Sequence, residues 1–387
     1  MDLNFSKEDL EFRDEVRAFL ENEYPKHIRE KMHNGEELTR DEVVEWHKCV
    51  AKKGWMGHSW PVEHGGTGWD ATKVYLYLRE LALEGCPTFV PFGLQMVAPV
   101  IWTFGSEEQK KKFLPDLATG KKIGAFGLTE PNAGSDAGNT QTRAVLNEDE
   151  YIVNGEKSFC TNAGQSSVLI FTALIIEDGK EKGISAFVID TNTDGLSFNP
   201  PEKKMGWCGS DTRSVFFKDM HIPKSAILGK PSKGFKQFLK TLTGGRITIG
   251  ALGLGTAQGA FKRALEYSQE REAFGKLIHK FQGISFKLSD MATQIEAARH
   301  MVYYAAWKKD NDLPVIREAA MAKLFASETA MKVTTEAIQV LGGFGYIKEY
   351  DVERFFRDAK ILEIGEGTSE VQRMIIAREL INSVKSI

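Results

Sequence analysis

YIVNGEKSFCTNAGQSSVLIFTALII, residues 151–176, decides the fold. β-branched and aromatic residues dominate it, and its Asn154-Gly155 pair has the preference of a two-residue hairpin turn. GISAFVIDT (183–191) and RSVFFKDMHIP (213–223) continue the same texture, so a β domain is expected over about 121–229. Working outward, the chain before it reads as helical. Ser6 can cap a helix in which Phe12, Val16, Phe19 and Leu20 share a face, and Ser106 with Gln109 forms a capping box. Between these helices, WPVEHGGTGW (60–69) reads as a loop. After the β domain, Ile284, Leu288, Met291, Ile295, Val302 and Ala305 recur at a spacing near 3.5, which predicts a bundle of long helices. The expectation is an α+β protein with an α-helical domain over 1–120, a β domain over 121–229 and a helical bundle over 230–387. No GxGxxG fingerprint opens a βαβ unit, so a nucleotide cofactor would have to be held another way.

Lys and Arg number 50 against 53 Asp and Glu, and the formal net charge of −3 gives no overall attraction toward nucleic acid or anionic lipid. Cys49, Cys86, Cys160 and Cys208 form neither a CxxC pair nor a disulfide framework, and are expected as buried thiols in a reducing compartment. The start, MDLNFSKEDLEF, lacks the blocks of a signal peptide, and no apolar run approaches the roughly 18 residues of a membrane span. Lys385, Ser386 and Ile387 do not spell the peroxisomal SKL address. A cytoplasmic protein is expected, with no nucleic-acid partner, no membrane insertion and no metal site.

Several segments could carry chemistry. In EIGEGTSEVQR (363–373), Ser369 and Gln372 read as a capping box, which puts Gly365, Glu366 and Gly367 in the loop before a helix. Glycines on both sides of a carboxylate allow another molecule close to the backbone, although an acid at a helix start also satisfies the macrodipole. GLTEPNAGSDAGNTQT (127–142) joins the first helical part to the β part. It can offer backbone N–H groups and the hydroxyls of Thr129 and Ser135 to a phosphate or heterocycle, or simply connect two domains. Arg271 and Gln282 flank an AFGK turn, where a guanidinium suits a pyrophosphate or a surface ion pair. QVLGGFGY (339–346) ends a helix on a glycine pair, and TLTGGRITIGALG puts Arg246 at the start of a helix rich in small residues.

Taken together, WPVEHGGTG, FGLTEPNAGSDAG, VNGEKSFCTNAG, GSDTRSVFFKDMHIP, SQEREAFGKLIHKFQ, IQVLGGFGY and EGTSEVQRMIIAREL resemble, in order, segments of the acyl-CoA dehydrogenase family. The resemblance implies a helical N-terminal domain, a middle β-barrel and a C-terminal four-helix bundle. It also implies FAD as cofactor. Leu128, Thr129 and Thr161 would then meet the isoalloxazine, together with Ser135 and with Phe159, which stands where many members have tryptophan. Arg271, Phe274, Gln282, Gln339, Gly342 and Gly343 would reach the FAD of a neighbouring subunit in a homo-oligomer, usually a homotetramer. Thr368 and Glu370 would also contact the cofactor.

Ser135, Arg246, Gly365 and Gly367 match positions around the acyl-CoA substrate, and a guanidinium at Arg246 suits the phosphates of CoA. Glu366 matches the base that takes the α-proton while a hydride leaves from Cβ to flavin N5, giving trans-2-enoyl-CoA. The base's own backbone N–H and a flavin hydroxyl would serve the thioester oxygen, and electrons would pass to an electron-transfer flavoprotein. Isovaleryl-type members carry the base just before the arginine, but here that place is Gly245. Many members have tyrosine before the C-terminal base, whereas this chain has Gly365, which implies room for a branched, cyclic or bulky acyl group. Phe89, Phe92, Leu94 and Met96 are expected to line the acyl pocket or the core. The competing readings are an enoyl-CoA reductase running the same chemistry in reverse, an acyl-CoA oxidase, a noncatalytic scaffold, and an FAD-containing nucleic-acid-binding relative.

Overall fold

A computed structural model describes residues 5–87 and 93–384 of the chain. Among the described residues six α-helices lead: α1 (Lys7–Glu23), α2 (Lys26–Asn34), α3 (Arg40–Lys52), α4 (Ala71–Glu84), α5 (Ala98–Phe104) and α6 (Glu107–Ala118). Two of their starts, those of α1 and α6, are built as the sequence predicts. The Ser6 hydroxyl accepts from the Asp9 N–H, and Ser106 and Gln109 cap each other reciprocally at α6. Phe89 and Phe92 lie outside the described residues. Leu94 and Met96 are both buried, and the Leu94 carbonyl accepts from the Trp60 indole at 3.0 Å, so Leu94 belongs to the core.

Eight strands follow: β1 (Gly124–Gly127), β2 (Arg143–Asn147), β3 (Glu150–Thr161), β4 (Val168–Glu177), β5 (Lys180–Asp190), β6 (Leu196–Phe198), β7 (Thr212–Pro223) and β8 (Ile227–Leu228). They pair in the order β6-β7-β3-β2-β4-β5-β8, with β1 added on β4. The unbroken apolar run of β4 has a direct cause. Val168 and Ile170 face the helices, Leu169, Phe171, Ala173 and Ile175 face a second core, and a strand buried on both faces needs no alternation. In a flat sheet β4 and β7 would stand about 14 Å apart, three strand spacings. Yet the rings of Phe171 on β4 and Phe217 on β7 stack at 4.6 Å, so the sheet is curled around its own core.

One expectation fails here: Asn154-Gly155 is not a turn. β3 runs straight through it, and the β2–β3 reversal falls at Glu148 and Asp149. Gly155, at φ +144°, sits instead at a slip in the β3–β7 register, where a Cβ would lie 2.7 Å from Thr142 Cα. A bulge and a hairpin ask for the same residue types.

The edge of β4 that positions the site is divided. Val168–Phe171 pairs with β1 and Leu174–Ile176 with β2, both parallel, and the intervening residues 128–142 leave the sheet through the gap between them.

The C-terminal part comprises α7 (Gly234–Glu270), a short hairpin of β9 (Glu272–Ala273) and β10 (Lys276–Leu277), then α8 (Gln282–Asp310), α9 (Ile316–Leu341), α10 (Val352–Lys360) and α11 (Ser369–Val384). α8 buries Leu288, Met291, Ile295, Val302 and Ala305 of the predicted stripe, while Ile284 is half-buried against the same core. α7 starts ten residues before Gly244, so Gly244, Gly245 and Arg246 lie within a helix and not at its start. Its small residues allow close crossing: a Cβ on Gly255 would lie 2.3 Å from the Arg79 carbonyl of α4. The four cysteines are free, but only Cys86 and Cys160 are buried, while Cys49 and Cys208 are half-buried. Among the described residues, no helix is long and apolar enough to cross a membrane.

Candidate active site

Glu366 sits on the turn between α10 and α11, with its backbone in the left-handed region at φ +53° and Gly367 following at +89°. A non-glycine residue pays roughly 1–2 kcal/mol there. Three hydrogen bonds from buried donors offset that cost. Gly367 O accepts from Lys323 Nζ of α9 at 2.9 Å and from Gln372 Nε2 at 2.8 Å, and Glu366 O accepts from Gln372 Nε2 at 3.3 Å. The expected Ser369–Gln372 capping box is therefore absent. Thr368 Oγ1 accepts from the Val371 N–H instead, and Gln372 turns back to the loop carbonyls.

Residue 366 as a whole is half-buried, but its Oε2 is fully covered and, among the described residues, accepts no hydrogen bond. Burial pushes this carboxyl up from 4.5 to about 7, against the opposing pull of Lys323 and Arg246. Burial likewise brings Lys323 down to about 8, opposed by Glu366, Glu363 and Glu370. Arg246 is buried beside the base, and its charge acts on Glu366. Gly245, one residue earlier, touches the carboxylate: a Cβ there would lie 1.9 Å from Glu366 Oε2. The two places at which the family resemblance puts a base thus converge on one point, and here only Glu366 fills it.

The loop leaving the β4 gap is pinned from beneath by a buried ion pair. Lys157 Nζ, with no exposed surface, lies 2.6 Å from Glu130 Oε1, 3.2 Å from Thr172 Oγ1 and 3.4 Å from the Leu128 carbonyl. Glu130 also accepts from the N–H groups of Gln141 and Thr142 at the loop's return. Burial pushes Lys157 down to about 8, against the pull of Glu130. Across the opening, the Ser158 N–H donates to Thr129 O at 2.8 Å. Phe159 stands beside it at φ +54° on the irregularity between Lys157 and Cys160, and its ring is 70% exposed. A bulge that re-aims an aromatic ring into solvent leaves a face for another flat molecule. Thr161, paired with Thr212, closes β3. Ser135 is exposed along the loop.

A separate cavity of about 590 Å³ lies between the β9–β10 hairpin and the end of α9. Arg271, Phe274, Gly342, Gly343 and Phe344 line it. Phe274 and Gly275, at φ +51° and +76°, form the tight hairpin turn and present the Phe274 ring 96% exposed. Nothing stands within 4 Å of a Cβ placed on Gly342 or Gly343. Gln282 and Gln339 are exposed and are not among the lining residues. Thr368 stands just before α11, accepting from the Val371 N–H, and the exposed Glu370 belongs to its first turn.

Three family models match the chain in succession: the acyl-CoA dehydrogenase N-terminal domain over residues 6–121, the middle domain over 125–220 and the C-terminal domain over 232–381. A probable acyl-CoA dehydrogenase of Bacillus subtilis (strain 168) is 46% identical over 385 residues, covering 98% of this chain and 100% of its own. The chain belongs to the acyl-CoA dehydrogenase family. Butyryl-CoA dehydrogenase from Megasphaera elsdenii superimposes with a TM-score of 0.89 at 41% identity, over 98% of this chain and 100% of that one. A chain in the structure of the electron transferring flavoprotein of Acidaminococcus fermentans matches with a TM-score of 0.89 at 40% identity, covering 98% and 99%.

The protein is thus an oxidoreductase of a flavoprotein family whose cofactor is FAD. The residues present fit that cofactor: an exposed ring at a pinned loop suits the isoalloxazine, and a guanidinium beside two open glycines suits a pyrophosphate. Sequence reading missed Lys323, Lys157 and Glu130, and gave Gln372 a capping role in place of its bonds to the loop carbonyls. Lys323 had left a signal, because it falls on the buried stripe Ala319, Ala326, Ala330, Val333 and Ala337, where a lysine needs a reason.

Proposed function

We propose that the chain oxidises the Cα–Cβ bond of an acyl-CoA thioester to trans-2-enoyl-CoA, with Glu366 as the base. The observation that carries this reading is Glu366 Oε2, a buried acceptor with no donor, on a carboxyl held near 7. Such a group is about half ionised at neutral pH, and its ionised form takes an α-proton and gives it up to water afterwards. Gly245 leaves the carboxylate its space, and the left-handed backbone at Glu366 aims it. The Glu366 N–H donates to the thioester oxygen as negative charge develops there.

FAD, when bound, supplies the acceptor for the β-hydride. Leu128, Thr129, Phe159 and Thr161 hold its ring end, with Ser135, Thr368 and Glu370 nearby. Arg271, Phe274, Gln282, Gln339, Gly342 and Gly343 hold the pyrophosphate end from a second copy of the chain, which makes a homo-oligomer, a tetramer on the family pattern. Electrons leave to an electron-transfer flavoprotein. The cytoplasm is the proposed compartment.

Gly365 supports a branched, cyclic or bulky acyl group. Among the described residues, a Cβ built there would meet only Ile361 O at 3.4 Å and Ile361 Cγ1 at 3.9 Å, which supports open space before the base. A short straight chain is the second reading, favoured by the similarity to butyryl-CoA dehydrogenase. Anaerobic titration of the yellow protein with straight, branched and cyclic acyl-CoAs separates the two. Glu366→Gln should retain FAD and bind acyl-CoA yet show no flavin bleaching, and bleaching at the wild-type rate would overturn the base assignment.

A further inference from the structure

A fully buried lysine on the alanine-lined face of a helix is costly unless something opposite it uses the charge. Lys323 is such a residue. It has no exposed surface and donates to Gly367 O at 2.9 Å, directly after the strained residue 366. The charged groups facing it are Glu366 and Glu370 of the loop and α11 start, Glu363 ahead of the loop, and Arg246 from α7. Those facing Glu366 are Lys323 from α9 and Arg246 from α7. Gln372 shares the Gly367 carbonyl with Lys323 but brings no charge.

We propose that Lys323 is a positioning residue for Glu366: it holds the Gly367 carbonyl that fixes the left-handed turn, and it supplies the buried positive charge that the Glu366 carboxylate faces. The inference rests on the reading of Glu366 as the base. Two effects are separable in it. Gln372 and Lys323 both hold the turn, whereas of these two only Lys323 affects how readily the carboxyl ionises, because a nearby opposite charge favours the charged form.

The test is an infrared titration of the Glu366 carboxyl, its band assigned by its loss in Glu366→Gln, alongside the pH profile of anaerobic flavin reduction. In Lys323→Met the titration midpoint should rise by about one pH unit or more, and the acidic limb of the reduction profile should rise with it. Lys323→Gln keeps a donor for Gly367 O while discarding the charge, and should give the same rise if the methionine variant does not fold. Lys323→Arg should return the midpoint toward the wild-type value. Gln372→Leu should slow reduction without moving the midpoint. An unmoved midpoint in the charge-free variants would overturn the proposal, since a merely structural lysine would change stability alone. If Glu366→Gln still reduced flavin normally, the base reading would fall, while the infrared midpoint would continue to report on Lys323.

Discussion

Glu366→Gln should make the stability of this protein less sensitive to pH, and the size of the change follows from the site. The Glu366 carboxyl ordinarily titrates near 4.5 and is held near 7 in the fold. Between those values the folded chain keeps a proton that the unfolded chain has released. Stability therefore falls as pH rises through that window and stays lower above it. At about 1.4 kcal/mol per pH unit, the full fall is about 3 kcal/mol. With an unfolding entropy of about 2.1 cal/mol/K per residue, the part lying between pH 5 and 7.5 lowers the unfolding midpoint by roughly 3 °C. Glutamine is neutral in both states and lacks this fall. Removing the carboxylate also leaves Lys323 and Arg246 facing each other, a cost that offsets both ends of the pH range, so the quantity to compare is the change with pH. Scanning calorimetry of both proteins across pH 5 to 7.5 measures it. If the difference between their midpoints stays constant across that range, the buried, proton-holding carboxyl is refuted.

Other perturbations follow from the same geometry. Gly245→Ala should stabilise α7 by about 0.5–1 kcal/mol, as alanine does within a helix, yet slow flavin reduction about 100-fold in stopped flow, because its Cβ displaces the Glu366 carboxylate. Glu130→Gln leaves Lys157 buried without its counter-charge and should cost about 3–5 kcal/mol in denaturant unfolding, while the double change Glu130→Leu with Lys157→Met should recover most of it. Phe274→Ala, at an exposed hairpin tip, should alter unfolding by less than about 0.5 kcal/mol but release FAD more readily on gel filtration. Gly365→Tyr should narrow the acyl-CoA panel toward short straight chains, and unchanged reduction by the bulkiest thioester that the parent accepts would contradict the assigned space.

The order of helices, strands and helices was legible because each part follows one period: capping residues and heptad-like spacing for helices, β-branched runs for strands. The bulge at Gly155 was misread because a local pattern cannot tell whether the partner strand continues past it. The start of α7 was misplaced because two glycines look like a boundary until the crossing with α4 shows why small residues are needed inside the helix. In the candidate site, Glu366 and its glycines stood out as a local motif. Lys323 lies 43 residues away in sequence and meets the loop only through tertiary packing, so spacing alone could not connect them. The Ser369–Gln372 box failed for a local reason, since Gln372 Nε2 donates to the Glu366 and Gly367 carbonyls of the turn before the helix.

Two short strands sharing one edge of β4 make the stretch between them a cassette. Its ends are fixed independently by ladder hydrogen bonds, so residues 131–139 can be replaced or lengthened without disturbing the β4–β5 register. Glu130, just ahead of that stretch, is to be kept, because its carboxylate joins the loop's exit to its return. An engineer seeking to change what the opening admits would graft new sequence between those anchors and leave the barrel wall untouched.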